Sequence, residues 1–247
     1  MKKEFEKEVI QNIKFLGEDK ELHNLSREWL CKSGKHNYVY NFSWIGRPII
    51  QLPQDIVAMQ EIISKVKPDL IIETGIAHGG SIIFSASMLA LLEKCNYIEK
   101  GLVVGIDIDI REHNKIEIEN HPLSSYIRII QGSSVDEKII KQVKSITTNH
   151  KRVLVCLDSN HTHDHVLKEL HAYAPLVSLG SYCVVFDTCI EDTPDEFYSD
   201  RPWCKGNNPK TAVWEYLKTN KDFEIDKTIE NKLLITAAPD GYLKKVK

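Results

Sequence analysis

The sequence predicts an α/β fold in which a mostly parallel sheet of seven strands is covered by helices on both faces. From Pro68 onward, strand-like and helix-like segments alternate along the chain. The strand-like segments are apolar along their whole length, which is typical of parallel strands that are buried on both faces. Glycines and other turn residues separate the segments. These observations predict one Rossmann-like domain with an antiparallel pair of strands at one edge of the sheet.

Ahead of that domain, residues 1–52 are predicted to form an N-terminal extension. They are polar and aromatic-rich, with weak helical periodicity at the start and an extended stretch, SWIGRPIIQLP, at the end. We therefore expect a helix plus an extended segment that serves as a cap or as an interface. The domain itself then spans residues 53–247. Pro53 is suited to open a helix, and apolar residues with helical spacing follow it as far as Val66.

The alternating segments of the domain follow in order. The five predicted parallel strands read DLIIETG, LVVGIDID, YIRIIQG, RVLVCLDS and SYCVVFDT. Helices are predicted over residues 81–92, from about 111, and over 136–143, 164–173 and 211–218. Two further strands are predicted around Phe223–Ile225 and Lys232–Thr236. Because a short polar stretch joins them, we expect these two strands to form an antiparallel hairpin at the sheet edge.

Charge and composition exclude several classes of function. The 247 residues include 32 basic and 35 acidic side chains, which gives a net charge of −3, and the pI is about 6.4. Nucleic-acid-binding proteins are usually basic, so nucleic acid is not expected as a partner. The longest strongly apolar stretch, residues 82–92, falls short of the roughly 18 residues that a membrane span needs. No membrane span is therefore expected.

The start of the chain and the cysteines indicate a cytoplasmic protein. The sequence MKKEFEKEVI mixes acids with lysines and lacks the apolar core of a signal peptide. The six cysteines include no C-x-x-C pair, and Cys156 and Cys183 lie in apolar, strand-like runs. Reduced core thiols are therefore expected rather than disulfides or a zinc site.

The first strand ends in a glycine-rich turn with an acid before it. In ETGIAHGGS the acid is Glu73, the glycines are Gly75, Gly79 and Gly80, and Ser81 opens the next helix. Glycines let the backbone pass close to a ligand, and a helix N-terminus offers free N–H groups. The spacing differs from the dinucleotide fingerprint G-x-G-x-x-G, and the carboxylate suits a cation, a hydroxyl or an ammonium better than a pyrophosphate. The alternative is a tight turn that binds no ligand.

The next two strand ends carry further polar side chains. Asp107 ends the second strand, and Asp109 follows shortly after it. In nucleotide-binding α/β folds, an acid at this position binds the ribose hydroxyls. Ser133 and Ser134 follow the third strand and are candidates to line an adenine pocket. Because ligands bind outside the carboxyl ends of parallel strands, three such strand ends in a row indicate a ligand site along one sheet edge.

The fourth and fifth strand ends predict a metal site. Asp158 ends the fourth strand, and Asp187 ends the fifth. Adjacent parallel strands lie about 4.8 Å apart, so the two carboxylates can share one hard cation, Mg²⁺ or Ca²⁺. His161 and His163 follow Asp158, and either can act as a general base or as a metal ligand. The alternative is that both are surface residues of a polar loop.

As a set, these motifs resemble the cephalosporin hydroxylase family, which includes rhamnosyl O-methyltransferases and belongs to the class I S-adenosylmethionine-dependent methyltransferases. The likeness runs from WIGRPIIQLP through ETGIAHGGS, GIDID, QGSS, LDSNHTHDHV and VVFDT to NPKTAVWEYL and the C-terminus. It implies the class I methyltransferase fold for residues 53–247, S-adenosylmethionine as the cofactor, and an associated Mg²⁺. By this resemblance the cofactor contacts are Glu73, Gly75, Gly79, Ser81, Asp107, Ser134 and Asp158, of which Asp158 also touches the metal.

The resemblance implies an O-methyltransferase that acts on a hydroxyl group of a sugar, a polysaccharide precursor or a natural product. A bound Mg²⁺ would lower the pKa of that hydroxyl, and a nearby base would remove its proton. Within the turn, His78 either points at the cofactor's carboxylate or is an exposed loop residue. A homo-oligomer is also implied, and SWIGRPIIQLP is a candidate interface.

The sequence departs from this family at one metal position. Well-known members have two consecutive acids at the end of the fifth strand, whereas here Phe186 precedes Asp187. Either Asp187 suffices together with Asp158 and waters, or the metal site is weaker or absent. Glu191 and Asp192 are the nearest acids that can substitute.

Two other functions stay open. A nonheme-iron oxygenase needs two histidines and one carboxylate, which His161, His163 and Asp158 supply by residue type. A catalytically silent, cofactor-binding scaffold subunit would account for the missing acid at position 186.

A long loop is predicted after the fifth strand. The residues from Asp192 to Lys210 show no clear periodicity, and a loop of this length in a compact domain is usually functional or disordered. We expect it to form a lid over the acceptor, with Trp203 and Tyr198 stacking on a sugar.

Overall fold

A seven-stranded sheet forms the centre of the molecule, of which the computed structural model describes residues 2–247. The seven strands of this sheet are β3 Leu70–Thr74, β4 Leu102–Asp107, β5 Ile127–Gln131, β6 Val153–Leu157, β7 Tyr182–Val185, β8 Phe223–Ile225 and β9 Tyr242–Lys245. Two earlier strands, β1 Phe42–Trp44 and β2 Arg47–Ile49, form a separate two-stranded sheet. The α-helices are α1 Lys2–Glu18, α2 Lys20–Gly34, α3 Pro53–Val66, α4 Gly80–Lys94, α5 Glu112–Glu119, α6 Glu137–Thr147, α7 His163–Tyr173, α8 Pro209–Thr219 and α9 Lys227–Leu233.

The order of the strands creates a crevice at one edge of the sheet. The order is β5-β4-β3-β6-β7-β9-β8. The pairs from β5 to β7 are parallel, whereas β9 is antiparallel to both β7 and β8. The chain steps outward from β3 to β5 and then returns to the other side of β3 with β6, and open α/β sheets bind ligands at such a reversal. The prediction of a mostly parallel seven-stranded sheet with an antiparallel edge is confirmed.

Helices cover both faces of the sheet. β3, β6 and β7 are buried along their whole length. The cluster on one face includes Ile63 of α3 and Leu89 of α4, and the other includes Val143 of α6 and Leu170 of α7. Strands between two helical layers need apolar side chains on both faces, which is why their sequences are continuous apolar runs. Within the described residues, no helix combines the length and the apolar character that a membrane crossing requires.

The end of the chain differs from the prediction. No strand forms at Lys232–Thr236, because residues 227–233 are the helix α9. Asp226 caps this helix by accepting the backbone N–H of Thr228, and the helix ends at Leu233, before Leu234 with its positive φ of 61°. The last strand is instead β9, which lies between β7 and β8. The antiparallel edge was therefore predicted correctly, but with one wrong strand.

Residues 2–52 form two helices and a β-hairpin rather than one helix and an extended segment. Asp19 separates the helices and caps α2 by accepting the backbone N–H of Leu22 at 2.9 Å. The stretch that was predicted to be extended forms the hairpin of β1 and β2. Trp44 of this hairpin packs edge-on against Phe84 of α4, with ring centroids 4.9 Å apart, and donates its indole N–H to Ser87 at 3.0 Å. The hairpin is therefore anchored on the helix that follows β3.

Candidate active site

A large cavity opens at the carboxyl ends of the parallel strands. Its volume is about 1180 Å³, and its walls include the ends of β3, β4 and β6. Ligand pockets commonly measure about 300–1,000 Å³, so this cavity has room for two small ligands side by side. The N-terminal residues 28–52 and the loop after β7 complete its walls.

The glycine-rich turn after β3 forms the floor of the cavity. Gly75 has a φ of +80°, and a Cβ on it would lie 2.0 Å from the carbonyl oxygen of Asp158. Only glycine therefore allows the ends of β3 and β6 to approach this closely. Gly79 has a φ of +84° and precedes the first residue of α4. The cavity lining includes His78, whose carbonyl accepts two hydrogen bonds from the Arg47 guanidinium, at 3.0 and 2.7 Å.

Glu73 is a buried acid beneath this turn. The Ser81 hydroxyl donates to Glu73 Oε1. Burial raises the pKa of Glu73 to about 7, although the hydrogen bond from Ser81 opposes the shift. No lysine or arginine in the described part of the chain forms an ion pair with it. A buried carboxylate that lacks a basic partner is suited to a positively charged ligand.

Asp107 fastens the end of β4 to the turn. Its Oδ2 accepts the backbone N–H groups of Ile76 at 2.9 Å and Ala77 at 3.3 Å, and its Oδ1 accepts that of Asp109 at 3.0 Å. Asp107 lines the cavity, whereas the side chain of Asp109 is exposed and is not part of the cavity wall. The structure therefore brings one of these two predicted acids to the site.

The end of β5 contributes a polar wall next to Asp107. Ser133 and Ser134 both line the cavity. The Tyr173 hydroxyl donates to the carbonyl of Ser134 at 2.6 Å, which fixes this backbone from the interior side. Both serines are therefore where the sequence predicted them, on the same sheet edge as the glycine-rich turn.

Asp158, His161 and Asp187 form a cluster beside the turn. Their potential ligand atoms all lie within 4.8 Å of one another, and His161 Nε2 is 3.2 Å from Asp187 Oδ2. Asp187 adopts a left-handed φ of 55°, a strained conformation that is concentrated at functional sites. Burial, followed by the charges of Asp187 and Glu73, raises the pKa of Asp158 well above its usual value.

This donor set fits a divalent cation. Carboxylates that repel one another are stabilised by a cation between them, and Mg²⁺ is commonly held by one or two carboxylates. Asp158 and Asp187 supply two carboxylates, and His161 supplies an imidazole nitrogen in reach of the same point. The predicted pair of acids is therefore brought together, with a histidine as the third group.

Neither of the two acids that follow Asp187 replaces the acid missing at position 186. Phe186 is buried and lines the cavity. Glu191 Oε2 accepts the backbone N–H of Gly206 at 2.8 Å and the side-chain amide of Asn208 at 2.5 Å. Asp192 accepts from the ammonium of Lys210 at 2.6 Å. Glu191 is held by the segment before α8 and Asp192 by the first turn of α8, so neither joins the cluster.

His163 faces α8 rather than the cavity. Its ring lies 2.8 Å from Thr211 Oγ1 through Nδ1 and 3.2 Å from Glu215 Oε2 through Nε2. It is absent from the cavity wall and from the metal-ligand cluster found among the described residues. The structure thus places His161 at the site and His163 outside it, and it does not assemble the two-histidine triad of an oxygenase.

Aromatic side chains of the loop after β7 close the cavity above His161. Trp203 meets the His161 ring edge-on, with centroids 4.7 Å apart, and the Arg201 guanidinium lies 5.6 Å from the Trp203 ring centroid. Tyr198 also lines the cavity. The same loop contacts the N-terminal segment, because a Cβ on Gly34 would lie 2.7 Å from the Phe197 ring. We call residues 193–203 the cavity loop.

Sequence reasoning missed a buried acid in the wall of the cavity. Asp55 of α3 is fully buried, and burial raises its pKa to about 6. It accepts hydrogen bonds from the Thr236 hydroxyl at 2.5 Å, the Ala237 backbone N–H at 2.8 Å and the Tyr242 hydroxyl at 2.8 Å. Its partners lie far along the chain, so an acid next to the apolar residues of α3 was the only available signal. His165 and Glu169 of α7 were missed as well.

The sheet order, the glycine-rich turn and the strand-end acids define a protein with the Rossmann-like class I methyltransferase fold. The family model described as Rhamnosyl O-methyltransferase/CmcI matches residues 36–246, and the chain belongs to this family. The rhamnosyl O-methyltransferase of Mycobacterium bovis is 28% identical over 193 residues, which are 76% of this chain and 72% of the relative. That of Mycobacterium leprae is 26% identical over 212 residues, which are 84% of this chain and 85% of the relative.

Solved structures share the fold. A structure of CmcI with Mg and SAM aligns with a TM-score of 0.57 at 17% identity, covering 84% of this chain and 78% of that chain. An apo structure of CalS11, a TDP-rhamnose 3'-O-methyltransferase of calicheamicin biosynthesis, aligns with a TM-score of 0.50 at 16% identity, covering 81% of this chain and 85% of that chain. At these identities the likeness establishes the architecture.

Proposed function

We propose that this protein is an S-adenosylmethionine-dependent O-methyltransferase that modifies a hydroxyl group of a sugar-containing acceptor. The observation that carries the proposal is the position of the Asp158, His161 and Asp187 cluster beside the glycine-rich turn, in one cavity. A group that can accept a proton and a cation-binding pair therefore lie next to a crevice suited to a nucleotide. Membership of the Rhamnosyl O-methyltransferase/CmcI family supports both the reaction and the sugar acceptor.

Three strand ends are proposed to hold the cofactor. A carboxylate offers roughly four acceptor positions, so Asp107 keeps capacity for the ribose hydroxyls after its backbone bonds. The buried Glu73, beneath the turn, suits the cofactor's ammonium or sulfonium charge, and Ser133 and Ser134 flank the adenine. The proposed cofactor contacts are Glu73, Gly75, His78, Gly79, Ser81, Asp107, Asp109, Ser133, Ser134 and Asp158, among which the exposed Asp109 has the least structural support.

Asp158 and Asp187 are proposed to hold Mg²⁺, with His161 within reach of the same ion. When bound, the cation lowers the pKa of the acceptor hydroxyl and orients it. The chain contributes the rest of the chemistry. Trp203 closes the cavity above His161 and limits the access of water, while Gly75 keeps the cofactor turn against the metal cluster.

The reaction is a displacement at the methyl carbon. The acceptor oxygen forms a bond to that carbon while the carbon–sulfur bond breaks, and the bonding pair moves to sulfur to give S-adenosylhomocysteine. His161 is proposed to take the hydroxyl proton. The carboxylate of Asp187, 3.2 Å from its Nε2, stabilises the imidazolium that results. The same histidine has a second candidate role as the third metal ligand.

Cofactor binding is tested by calorimetric titration with S-adenosylhomocysteine. Asp107→Ala is expected to abolish binding, because it removes the ribose acceptor and frees the backbone of the turn. Asp109→Ala removes a neighbouring carboxylate that is exposed, so it tests the proposed contact at the rim of the site and is expected to lower the affinity much less than Asp107→Ala does. If folded wild-type protein does not bind S-adenosylhomocysteine at millimolar concentration, the proposal is refuted.

The roles in the metal cluster are separated by two variants. Asp187→Ala is expected to bind S-adenosylhomocysteine but to lose Mg²⁺-dependent methylation of rhamnose-containing acceptors, which radiolabelled methyl transfer measures. For His161→Ala, electron paramagnetic resonance with Mn²⁺ distinguishes the two candidate roles. Unchanged Mn²⁺ affinity with lost turnover identifies a base, whereas a loss of affinity identifies a ligand. Full turnover in both variants would contradict the assigned roles.

The proposed function also bears on the location of the enzyme, its biosynthetic role and its oligomeric state. We place the enzyme in the cytoplasm, in the biosynthesis of a polysaccharide, a lipopolysaccharide or a natural product. Residues 1–52 are proposed to cap the cleft and to contribute to a homo-oligomer interface, because Phe5, Ile10 and Phe15 of α1 are 66%, 69% and 59% exposed. Light scattering of the intact chain tests the oligomer, and a monomer at micromolar concentration would exclude it.

Phe186 favours one second candidate, a cofactor-binding subunit without turnover. It occupies the position where an acid was expected and buries an aromatic ring in the cavity wall. This candidate predicts normal binding of S-adenosylhomocysteine together with no methyl transfer to any acceptor of a broad sugar panel.

A further inference from the structure

We infer that Asp55 of α3 is a positioning residue for the proposed cation cluster, and that it acts by holding the backbone turn that begins at Asp187. This role rests on the proposed function, because it takes Asp158, His161 and Asp187 as the cation site. Asp55 lines the same cavity, but it is not one of the three clustered groups. None of the roles proposed above uses this acid.

The two acids of the cluster are supported in different ways. Asp158 directly follows β6, and its backbone N–H donates to the carbonyl of Thr74 in β3 at 2.9 Å. Phe186 likewise donates its backbone N–H to the carbonyl of Leu157 in β6, at 3.0 Å. The next residue, Asp187, leaves the extended conformation with a φ of 55°. The sheet therefore holds Asp158, whereas the turn at Asp187 depends on other contacts.

Those contacts come from residues 236–239, which we call the support segment. The backbone N–H of Cys189 donates to the carbonyl of Ala237 at 3.2 Å. The Thr188 hydroxyl donates to the carbonyl of Pro239 at 2.6 Å. The support segment lies between α9 and β9 and is itself neither helix nor strand. The position of the turn therefore depends on the groups that fix the support segment.

Asp55 fixes the support segment to α3. Its Oδ2 accepts the backbone N–H of Ala237 at 2.8 Å, and its Oδ1 accepts the hydroxyls of Thr236 at 2.5 Å and Tyr242 at 2.8 Å. Thr236 Oγ1 in turn accepts the backbone N–H of Ala238 at 3.0 Å. Ala237 is therefore joined to Asp55 through its N–H and to the turn at the cluster through its carbonyl.

Asp55 is poorly explained as a packing residue. It is fully buried, and no lysine or arginine in the described part of the chain forms an ion pair with it. A buried carboxylate without a basic partner destabilises a fold unless hydrogen bonds offset the loss of hydration. Its three hydrogen bonds all go to the support segment and to the first residue of β9. The acid is therefore explained by the segment that it holds.

Two substitutions of Asp55 separate positioning from charge. Asp55→Ala removes the hydrogen bond to Ala237, so Mn²⁺ affinity is expected to fall about tenfold, the effect typical of losing a hydrogen bond behind a metal ligand. Asp55→Asn keeps that bond, because its amide oxygen can accept the Ala237 N–H while its amide nitrogen donates to the hydroxyls of Thr236 and Tyr242. This variant lacks the charge but is expected to bind Mn²⁺ almost as well as wild type.

Tyr242→Phe is the matched control for stability. It removes another hydrogen bond of the same carboxylate but leaves the bond between Asp55 and Ala237 in place. It is therefore expected to lower the free energy of unfolding and to keep wild-type Mn²⁺ affinity. Electron paramagnetic resonance measures the Mn²⁺ affinity of all four proteins, and calorimetry measures their affinity for S-adenosylhomocysteine. In Asp55→Ala the affinity for S-adenosylhomocysteine is expected to stay close to wild type, a difference between the two ligands that general destabilisation does not produce.

A measurement on wild type covers the case in which Asp55→Ala does not fold. If a held Ala237 favours the ion, the ion favours a held Ala237 by the same factor. Addition of Mg²⁺ is therefore expected to slow hydrogen exchange of the Ala237 amide about tenfold more than that of the Val104 amide. Val104 is fully buried in β4, so its exchange serves as the reference for global unfolding.

Each contrary result has a distinct meaning. Wild-type Mn²⁺ affinity in folded Asp55→Ala, or equal slowing of exchange at Ala237 and Val104, overturns the inference. A loss in Asp55→Asn as large as that in Asp55→Ala also overturns it, because the charge is then what matters. An equal loss in Tyr242→Phe overturns it in favour of general stability. Wild-type protein that binds no Mn²⁺ refutes the proposed metal site and this role together, whereas the other results leave the proposed metal site intact.

Discussion

Replacement of Gly75 by alanine tests the contact on which the shape of the cleft depends. Gly75 has a φ of +80°, and a Cβ there would lie 2.0 Å from the carbonyl oxygen of Asp158. The left-handed backbone costs an alanine about 1–2 kcal/mol, and displacing the packed neighbour costs about 1–3 kcal/mol more. We therefore expect Gly75→Ala to lower the free energy of unfolding by about 2–5 kcal/mol and to weaken the binding of S-adenosylhomocysteine.

Gly180→Ala is the matched control for this prediction. Gly180 has a φ of +78°, but no atom lies within 4 Å of the position of its Cβ. This variant carries only the backbone cost, so its loss is expected to be about 1–2 kcal/mol, with cofactor binding unchanged. Urea denaturation followed by circular dichroism measures both losses, and calorimetry measures the binding. Equal losses in the two variants, or wild-type affinity in Gly75→Ala, would refute the reasoning.

Three further predictions concern the walls of the cavity. Burial raises the pKa of Glu73 from 4.5 to about 7 in the folded protein, so the folded state binds the proton more tightly and stability falls as the pH rises through this range. Glu73→Gln removes this loss of stability and is expected to be more stable than wild type at about pH 8 by on the order of 3 kcal/mol. Urea denaturation at a series of pH values measures the free energy of unfolding of both proteins. The same pH dependence of that free energy in both proteins would contradict the prediction. Arg47→Lys keeps the charge but loses the paired bonds to the His78 carbonyl, so S-adenosylhomocysteine affinity is expected to fall about tenfold by calorimetry. Trp203→Ala is expected to raise the KM for the acceptor about tenfold without changing cofactor affinity. Trp214 lies outside this cavity, so Trp214→Ala is the control and leaves both constants unchanged. An unchanged KM in Trp203→Ala together with a raised KM in Trp214→Ala would exclude an acceptor role for the loop.

The residues at the strand ends could be predicted because their signals are local. Asp107, Asp158 and Asp187 each end an apolar run, and parallel strands bring such ends to one edge. The structure brings all three into one cavity. Gly75 was recognisable for the same reason, since a strand-to-helix turn with close backbone contacts needs glycine.

Side chains whose partners lie far along the chain could not be placed in this way. His163 and Glu191 have the residue types and spacing of site residues, but Thr211, Gly206 and Asn208 hold them outside the cluster. No local pattern predicts these contacts, because they form only once α8 and the residues before it have packed against α7 and the loop after β7.

The last strand was misplaced for a different reason. The sequence of β9, Tyr-Leu-Lys-Lys, contains only two apolar residues, whereas residues 233–236 look more like a strand. Lys245 nevertheless fits, because its ammonium donates to the carbonyls of Pro175 and Val177 beyond the sheet. A lysine can bury its methylene chain and keep its charge among acceptors, and hydrophobic pattern alone does not reveal this.

The N-terminal segment has a consequence for how the two ligands bind. Arg47 holds the turn at His78, and Gly34 of the same segment lies against Phe197 of the cavity loop. One continuous stretch of chain therefore touches both halves of the cavity. We expect this stretch to link the binding of the proposed cofactor and acceptor, and any change that one ligand makes in the affinity of the other must then be reciprocal.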